Sequence, residues 1–290
     1  MNDVQVIDHD LATLPFQRED EERLQKLARK KEDPFFEIAF CGHFSAGKST
    51  LLNRLLGNEL LPTSPIPTSA NVISIQNGDV KLEVERHDGE VEVWHEEIPW
   101  AEAKRWGMDG ESISSIRIYA PLPFLSKRAK ILDTPGVDST DVRHQQVTAQ
   151  QLMTTDFIVY VTDYNHVQSE TNIHFLKQLS NENKPILLVI NQIDKHDENE
   201  LSLQVFENNV RNMLVQFGIQ PIHVFFTSMK VEDHPFNQYE QLEKFIKGMT
   251  YSSSSLIEDS LKQLERGTVL HLLERLKEEK EEAFDDWKQS

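Results

Sequence analysis

Apolar and polar positions divide the chain into distinct textures. Residues 17–33, QREDEERLQKLARKKED, are charged almost throughout, and Leu24, Leu27 and Ala28 fall at i, i+3 and i+4, one narrow apolar stripe on a helix. Pro34 ends that helix, because its ring fixes φ and it has no N–H to give. From Phe35 onward, short apolar runs alternate with helical patterns: FFEIAF, a leucine-rich helix from Lys48, then AKILD, DFIVYVTD, PILLVIN and HVFFTS. Such runs between helices predict strands buried on both faces of a mainly parallel sheet, hence a doubly wound α/β domain. One island differs. VKLEVER and EVEVWHE alternate with period two around His87-Asp88-Gly89, where Asp-Gly predicts a two-residue turn, so an antiparallel edge hairpin is expected. After Gly248, the serine run at 252–255 can cap a last helix whose Leu261, Leu264, Leu272, Leu273 and Leu276 form an amphipathic stripe.

These textures predict three parts: residues 1–35 with an N-terminal bundle helix, 36–250 as the α/β domain, and 251–290 as a C-terminal bundle or stalk helix. Neither terminal stripe is wide enough to make a domain alone. The economical arrangement packs the two helices on each other; two solvated charged tails are the alternative. The last helix carries no stop signal, so a stalk continuing past Ser290 is expected. Composition narrows the function classes. With 48 acidic against 30 basic residues the net charge is −18, which repels nucleic-acid phosphates and anionic headgroups from the surface as a whole. A single cysteine forms no internal disulfide, and MNDVQVIDHD has neither the charged nor the apolar region of a secretion signal. No apolar run approaches the roughly 20 residues of a membrane-spanning helix. The expectation is a soluble, cytoplasmic protein.

The most specific chemical signal is Gly42-His43-Phe44-Ser45-Ala46-Gly47-Lys48-Ser49, a G-x-x-x-x-G-K-[ST] string after a strand and before a helix. Backbone N–H groups of such a loop and the positive end of the following helix hold a polyphosphate, Lys48 adds a cation at the outer phosphates, and Ser49 offers a hydroxyl to Mg²⁺. Asp133-Thr134-Pro135-Gly136 follows the strand AKIL and puts an acid where open α/β sheets bind ligands. Asp133 suits the outer shell of Mg²⁺, and Gly136 lets a bare N–H approach a γ-phosphate, a hydrogen bond that hydrolysis removes. Asn191-Gln192-Ile193-Asp194 ends PILLVI. The Asp194 carboxylate can accept from two donors on one edge of guanine, a pair adenine does not offer, and Asn191 can tie its loop to the phosphate loop. Thr227-Ser228-Met229-Lys230 after HVFF would add backbone N–H contacts to the guanine carbonyl. Thr68, in Pro67-Thr68-Ser69, is the candidate to close on Mg²⁺ and γ-phosphate, with Thr63 and Ser69 as neighbouring hydroxyls.

Other conspicuous residues read as packing or solvated groups. The 11 histidines show no close metal-ligand spacing, Cys41 ends a buried strand, and Trp94, Trp100, Trp106 and Trp287 have no repeat spacing.

In order, GHFSAGKS, PTS, DTPG, NQID and TSMK match the five nucleotide-contacting elements of a GTPase domain. The wording FSAGKSTLLNRLLG, the long stretch from Thr68 to Asp133 with its extra hairpin, and the flanking helices resemble the bacterial branch of the dynamin superfamily over roughly residues 36–250. The resemblance implies a P-loop GTPase with GTP or GDP held by residues 42–50, through Thr50, and by Asn191, Gln192, Asp194, Ser228, Met229 and Lys230. It implies catalysis by Ser45, Lys48, Thr68 and Gly136, with Ser49, Thr68 and Asp133 toward Mg²⁺ and K⁺ or Na⁺ beside Ser45. It further implies a homodimer through the nucleotide face, no nucleic-acid partner, and hydrolysis coupled to membrane fusion, fission or protection. The membrane would be reached through regions outside this chain, from the cytoplasm at the inner face of the cell membrane. Two positions depart from the family pattern: Phe44 stands where many dynamins carry a water-orienting glutamine, and Gln192 replaces the usual lysine. The rival from another class is a regulatory switch that recruits a ribosome, RNA or protein partner; the charge of −18 and the lack of an appended basic domain weigh against it. A scaffold that binds nucleotide without turnover is the third reading.

Overall fold

The computed structural model describes residues 17–57, 60–61, 71–95, 98–107, 109, 111–137, 148–149 and 151–289. Thr68 and its neighbours Thr63 and Ser69 lie outside these residues. Helix α1 (Arg18–Glu32) stops two residues before Pro34. Its buried face differs from the expected stripe: Ala28 is exposed, and Leu27 is flanked by buried Asp20, Arg23 and Lys30. Charged partners across the interface, not apolar area, orient this helix.

Nine strands among the described residues form one sheet in the order β4-β3-β5-β2-β6-β1-β7-β8-β9. They are β1 (Phe36–Gly42), β2 (Ile73–Asn77), β3 (Lys81–Arg86), β4 (Val91–His95), β5 (Ile113–Ala120), β6 (Ala129–Asp133), β7 (Phe157–Asp163), β8 (Ile186–Asn191) and β9 (His223–Phe226). Strands β6, β1, β7, β8 and β9 are parallel neighbours. Side chains alternate between two cores, as period two requires. Ile38, Phe40, Val159 and Val189 meet helices α2 (Lys48–Leu56) and α6 (Tyr239–Tyr251) on one face; Ala39, Cys41, Tyr160 and Leu188 meet α4 (Glu170–Asn181) and α5 (Leu203–Gln216) on the other. The doubly wound α/β architecture is therefore present, with the hairpin β3–β4 at one edge.

Two strands escape the sequence pattern. β2 is a short run between turns, parallel to β5 and antiparallel to β6. In β5, Ile113 and Ile116 both reach the same core although they are three residues apart. A register shift opposite Glu85 and Arg86 skips Ser114, and that bulge breaks the alternation. The hairpin turn is also longer than expected: Arg86 N–H donates to Glu90 O at 2.8 Å and Gly89 N–H to Arg86 O at 3.0 Å, closing a three-residue loop with Gly89 at φ +87°. Behind the hairpin, Trp94 stacks at 4.8 Å on Trp106 of α3 (Trp100–Trp106), a pairing across the intervening chain.

The last helix, α7 (Ser253–Gln289), follows α6 closely and lies against α1. Arg275 pairs with Asp20 at 2.6 Å, Lys31 with Glu265 at 2.6 Å, and Gln17 Nε2 donates to Glu279 at 2.8 Å. Among the described residues no helix is long and apolar enough to cross a membrane.

Candidate functional site at the carboxyl ends of the parallel strands

Loops that follow β1, β6, β7, β8 and β9 all leave from the carboxyl edge of one parallel sheet, so motifs far apart in sequence share one crevice. The phosphate loop begins at Gly42, φ +150°, where a Cβ would lie 1.9 Å from the carbonyl oxygen of Val161. Only a glycine lets β1 pass β7 that closely. Ser45 takes φ +64° and Gly47 φ +85°, and Gly47 O accepts from Leu51 N–H at 2.9 Å as α2 starts. This turn puts Lys48, Ser49 and Thr50 in the first helical turn, with the loop's N–H groups and the helix dipole at one place.

The DTPG segment is tied to the same loop. Thr134 donates to Phe40 O through both its N–H and its hydroxyl at 3.1 Å, and Val137 N–H donates to Gly42 O at 3.1 Å. Lys48 Nζ lies against the Asp133 carboxylate and donates to Thr134 O at 2.6 Å. Asp133 is fully buried, and its Oδ2 has no hydrogen-bond partner among the described residues. A buried carboxylate oxygen with no partner among them is donor chemistry that suits Mg²⁺ through bound water. Ser49, half-buried in the first turn of α2, is the other oxygen donor the loop supplies; Gly136 follows Pro135 at the mouth of the crevice.

The third and fourth motifs interlock with the first. Asn191 Nδ2 donates to Ala46 O at 2.8 Å while its Oδ1 accepts from the Thr227 hydroxyl at 3.1 Å, so one amide joins three loops. Gln192, at φ +60°, donates through Nε2 to Ser45 O at 2.7 Å. Asp194 Oδ1 accepts from the Ser228 hydroxyl at 2.6 Å, and that hydroxyl also accepts from Lys230 N–H and Val231 N–H, at 3.2 and 3.0 Å. Met229 lies between them, packed on the core. The structure thus brings together every described candidate: residues 42–50, Asp133, Gly136, Asn191, Gln192, Asp194 and residues 228–230.

Three participants, Asn237, Asp163 and His166, lie outside the sequence motifs. Asn237 accepts from Ser228 N–H at 3.1 Å and returns a hydrogen bond to Ser228 O at 2.9 Å, fixing the fourth loop; no local signal marks it. Asp163 and His166 meet His43 of the phosphate loop in a cluster that the sequence spacing does not show. Chain separation of 120 residues between His43 and Asp163 hides the cluster, although Asp163 ends its strand as Asp133 does. Burial alone would raise the Asp163 pKa, but hydrogen bonds from His166 and the Asn165 amide and the nearby imidazoles outweigh it and hold the carboxyl below its ordinary value. Beneath the loop, burial pushes the Cys41 thiol up to about 12, in keeping with a packing residue.

Comparison with known proteins agrees with this geometry. The family model described as "Dynamin family" matches residues 38–194, more than half of the chain. Dynamin-like protein A of Bacillus subtilis (strain 168) is 36% identical over 266 residues, covering 91% of this chain and 22% of that protein. Dynamin-like protein 1 of Campylobacter jejuni is 26% identical over 239 residues, 69% of this chain and 33% of that protein. A solved structure of an oligomerised bacterial dynamin pair superposes with TM-score 0.60 at 21% identity, over 98% of this chain and 56% of that one, a likeness of fold. The chain therefore spans about a fifth to a third of these two curated relatives. With four of these loops interlocked on one sheet, and matched by the family model from β1 to Asp194, the chain belongs to the dynamin family.

Proposed function

We propose that this chain is the GTP-hydrolysing head of a dynamin-like protein, with a helical bundle begun by α1 and α7 and domain limits near residues 35 and 250. The observation that carries the reading is Asp194: its carboxylate is oriented by the Ser228 hydroxyl in a loop that Asn191 ties directly to the phosphate loop. A base reader joined to a phosphate cradle selects one nucleotide.

Each residue then has a role that follows from its position. Lys48, on a flexible stem, turns from Asp133 to the outer phosphates, and the amides of residues 42–50 hold the rest. Ser49 and Asp133, joined by Thr68, would hold Mg²⁺, which neutralises charge on the phosphates. Gly136 offers its N–H to the γ-phosphate. Ser45 would place K⁺ or Na⁺ beside the phosphate loop, and a second head closing over the nucleotide face would exclude water, supplying what Phe44 cannot. Gln192, holding Ser45 O, keeps the base-reading and phosphate loops in register. Hydrolysis in such a dimer would be coupled to membrane remodelling through parts of the protein outside this chain, at the inner face of the cell membrane. Homology supports this reading: the solved relative is described as sensing and tethering membranes over long range.

The test is Asp194→Asn. Removing the charge-assisted pair of hydrogen bonds should weaken GTP by about 2–4 kcal/mol and favour xanthosine triphosphate relatively. Unchanged GTP affinity in a titration rejects the base-reading role. Thr68→Ala should leave GDP binding intact and cut turnover. Phosphate release per molecule should rise with protein concentration and depend on K⁺ or Na⁺; a profile flat in both removes the dimer and the cation.

A further inference from the structure

One cluster at the nucleotide face has no part in the scheme above. His43 Nε2 stands 3.1 Å and His166 Nδ1 2.8 Å from the same oxygen, Asp163 Oδ2, and the three donor atoms lie within 4.8 Å of one another. Asp163 and His43 are buried, whereas the His166 side chain is 60% exposed and opens the cluster to solvent. The other carboxylate oxygen, Oδ1, accepts from Asn165 N–H at 2.8 Å, which fixes the direction in which Oδ2 points.

Asp163 N–H donates to His43 Nε2 at 3.2 Å, so that nitrogen presents a lone pair, and it faces Asp163 Oδ2 at 3.1 Å. Two imidazole nitrogens and one carboxylate oxygen therefore converge on one point, and a cation there would take the His43 lone pair in place of the Asp163 N–H. We propose that His43, Asp163 and His166 form a binding site for a divalent transition-metal ion of the zinc or cobalt kind, distinct from the Mg²⁺ position at Ser49 and Asp133.

The donor set selects the metal. Two imidazole nitrogens and one carboxylate are the ligands of Zn²⁺, Co²⁺ and Ni²⁺, while Mg²⁺ prefers oxygen throughout. Bonds of about 2.1 Å in a tetrahedron need donors about 3.4 Å apart, so the pairs at 2.8 and 3.1 Å would spread by about 0.3–0.6 Å while the two imidazole nitrogens, within 4.8 Å of each other, settle to the same separation. His43 would keep its proton on Nδ1, and His166, whose Nδ1 donates to Asp163, would carry its proton on Nε2 once the ion is bound, so two neutral rings release no net proton. Three protein ligands leave a fourth position for water or an incoming oxygen. Since His43 belongs to the phosphate loop and Asp163 ends β7, the ion would clamp that loop to the sheet, and metal and nucleotide affinities would be linked reciprocally.

The experiment titrates Co²⁺ into the nucleotide-free full chain in excess Mg²⁺, reading the visible d–d absorption, with Zn²⁺ as competitor. Saturable one-to-one binding is expected, displaced by Zn²⁺ and at least tenfold weaker in His166→Ala, a change on an exposed side chain that circular dichroism should show to be folded. Zn²⁺ should raise the Tm of the parent chain and leave that of His166→Ala unmoved. Co²⁺ binding that does not saturate, or that is equal in the two proteins, overturns the proposal. So does a fall in stability in His166→Ala that is the same with and without Zn²⁺, since the cluster is then a hydrogen-bonded brace only. No step uses GTP, so the outcome is independent of the GTPase reading.

Discussion

The two ends of the parallel strands are built on opposite principles. At the carboxyl ends, backbone groups and small polar side chains make the site: glycine turns, the Asn191 amide and the Ser228 hydroxyl, with Lys48 against Asp133. At the amino ends, acidic and basic side chains are sealed between α1, α7 and the sheet. Lys30 Nζ, 6% exposed, lies 2.5 Å from Asp156 Oδ2 and 2.5 Å from Thr154 O, while Asp156 also accepts from Glu37 N–H at 2.6 Å and from the Ser260 hydroxyl. Arg23 reaches Glu182, and Lys184, held by Met153 O at 2.6 Å and Thr155 O at 3.2 Å, lines a cavity of about 100 Å³ in the same seam. The first end is organised to receive charge. The second pairs most of its own charges, so its parts depend on each other.

Substitutions can separate the two. Gly42→Ala should have the largest effect, because the Cβ would enter the Val161 carbonyl at 1.9 Å and backbone cannot step aside cheaply. Nucleotide binding should vanish and stability fall by more than about 4 kcal/mol, read by fluorescent-GDP titration and urea unfolding. Lys30→Ala strikes the other end. An uncompensated buried carboxylate at Asp156 should cost about 3–5 kcal/mol in urea unfolding, with GDP affinity of the folded fraction within twofold of the parent. If GDP affinity falls in step, the two ends are coupled and the contrast fails.

A milder probe is Lys184→Met. Burial lowers the Lys184 pKa to about 8, so below that pH the folded chain carries a disfavoured buried charge that the unfolded chain leaves in water. Between about pH 8 and 10.5 the unfolded state binds the extra proton, and stability should rise with pH by up to about 1.4 kcal/mol per unit. The difference between parent and variant unfolding free energies isolates this slope, and no difference would place Lys184 in solvent. The smallest expected effect is at Cys41, whose thiol, raised to about 12, should resist alkylation in the native chain and react on unfolding.

Much of the nucleotide face is legible in the sequence because its signals are local. A glycine turn, a strand-end acid and a strand-end asparagine each carry their meaning within a few residues, and even the tie from Asn191 to the phosphate loop follows from residue type. The amino-end seam is not legible. Asp20, Arg23 and Lys30 look like one more solvated charge run, and only partners more than a hundred residues away turn them inward. The same distance hides His43, Asp163 and His166. Strand β5 escapes for a different reason, a bulge at Ser114 that shifts the apolar period by one.

The sequence by itself determined the α/β class, the edge hairpin, the order of the nucleotide loops and the kinship with dynamins, since periodicity and turn chemistry are properties of neighbouring residues. The tertiary structure alone decided which charges are buried and which side chains converge. Burial and convergence are set by strand order and helix docking, so a carboxylate such as Asp156 or Asp163 takes its chemistry from residues that the chain brings to it only on folding.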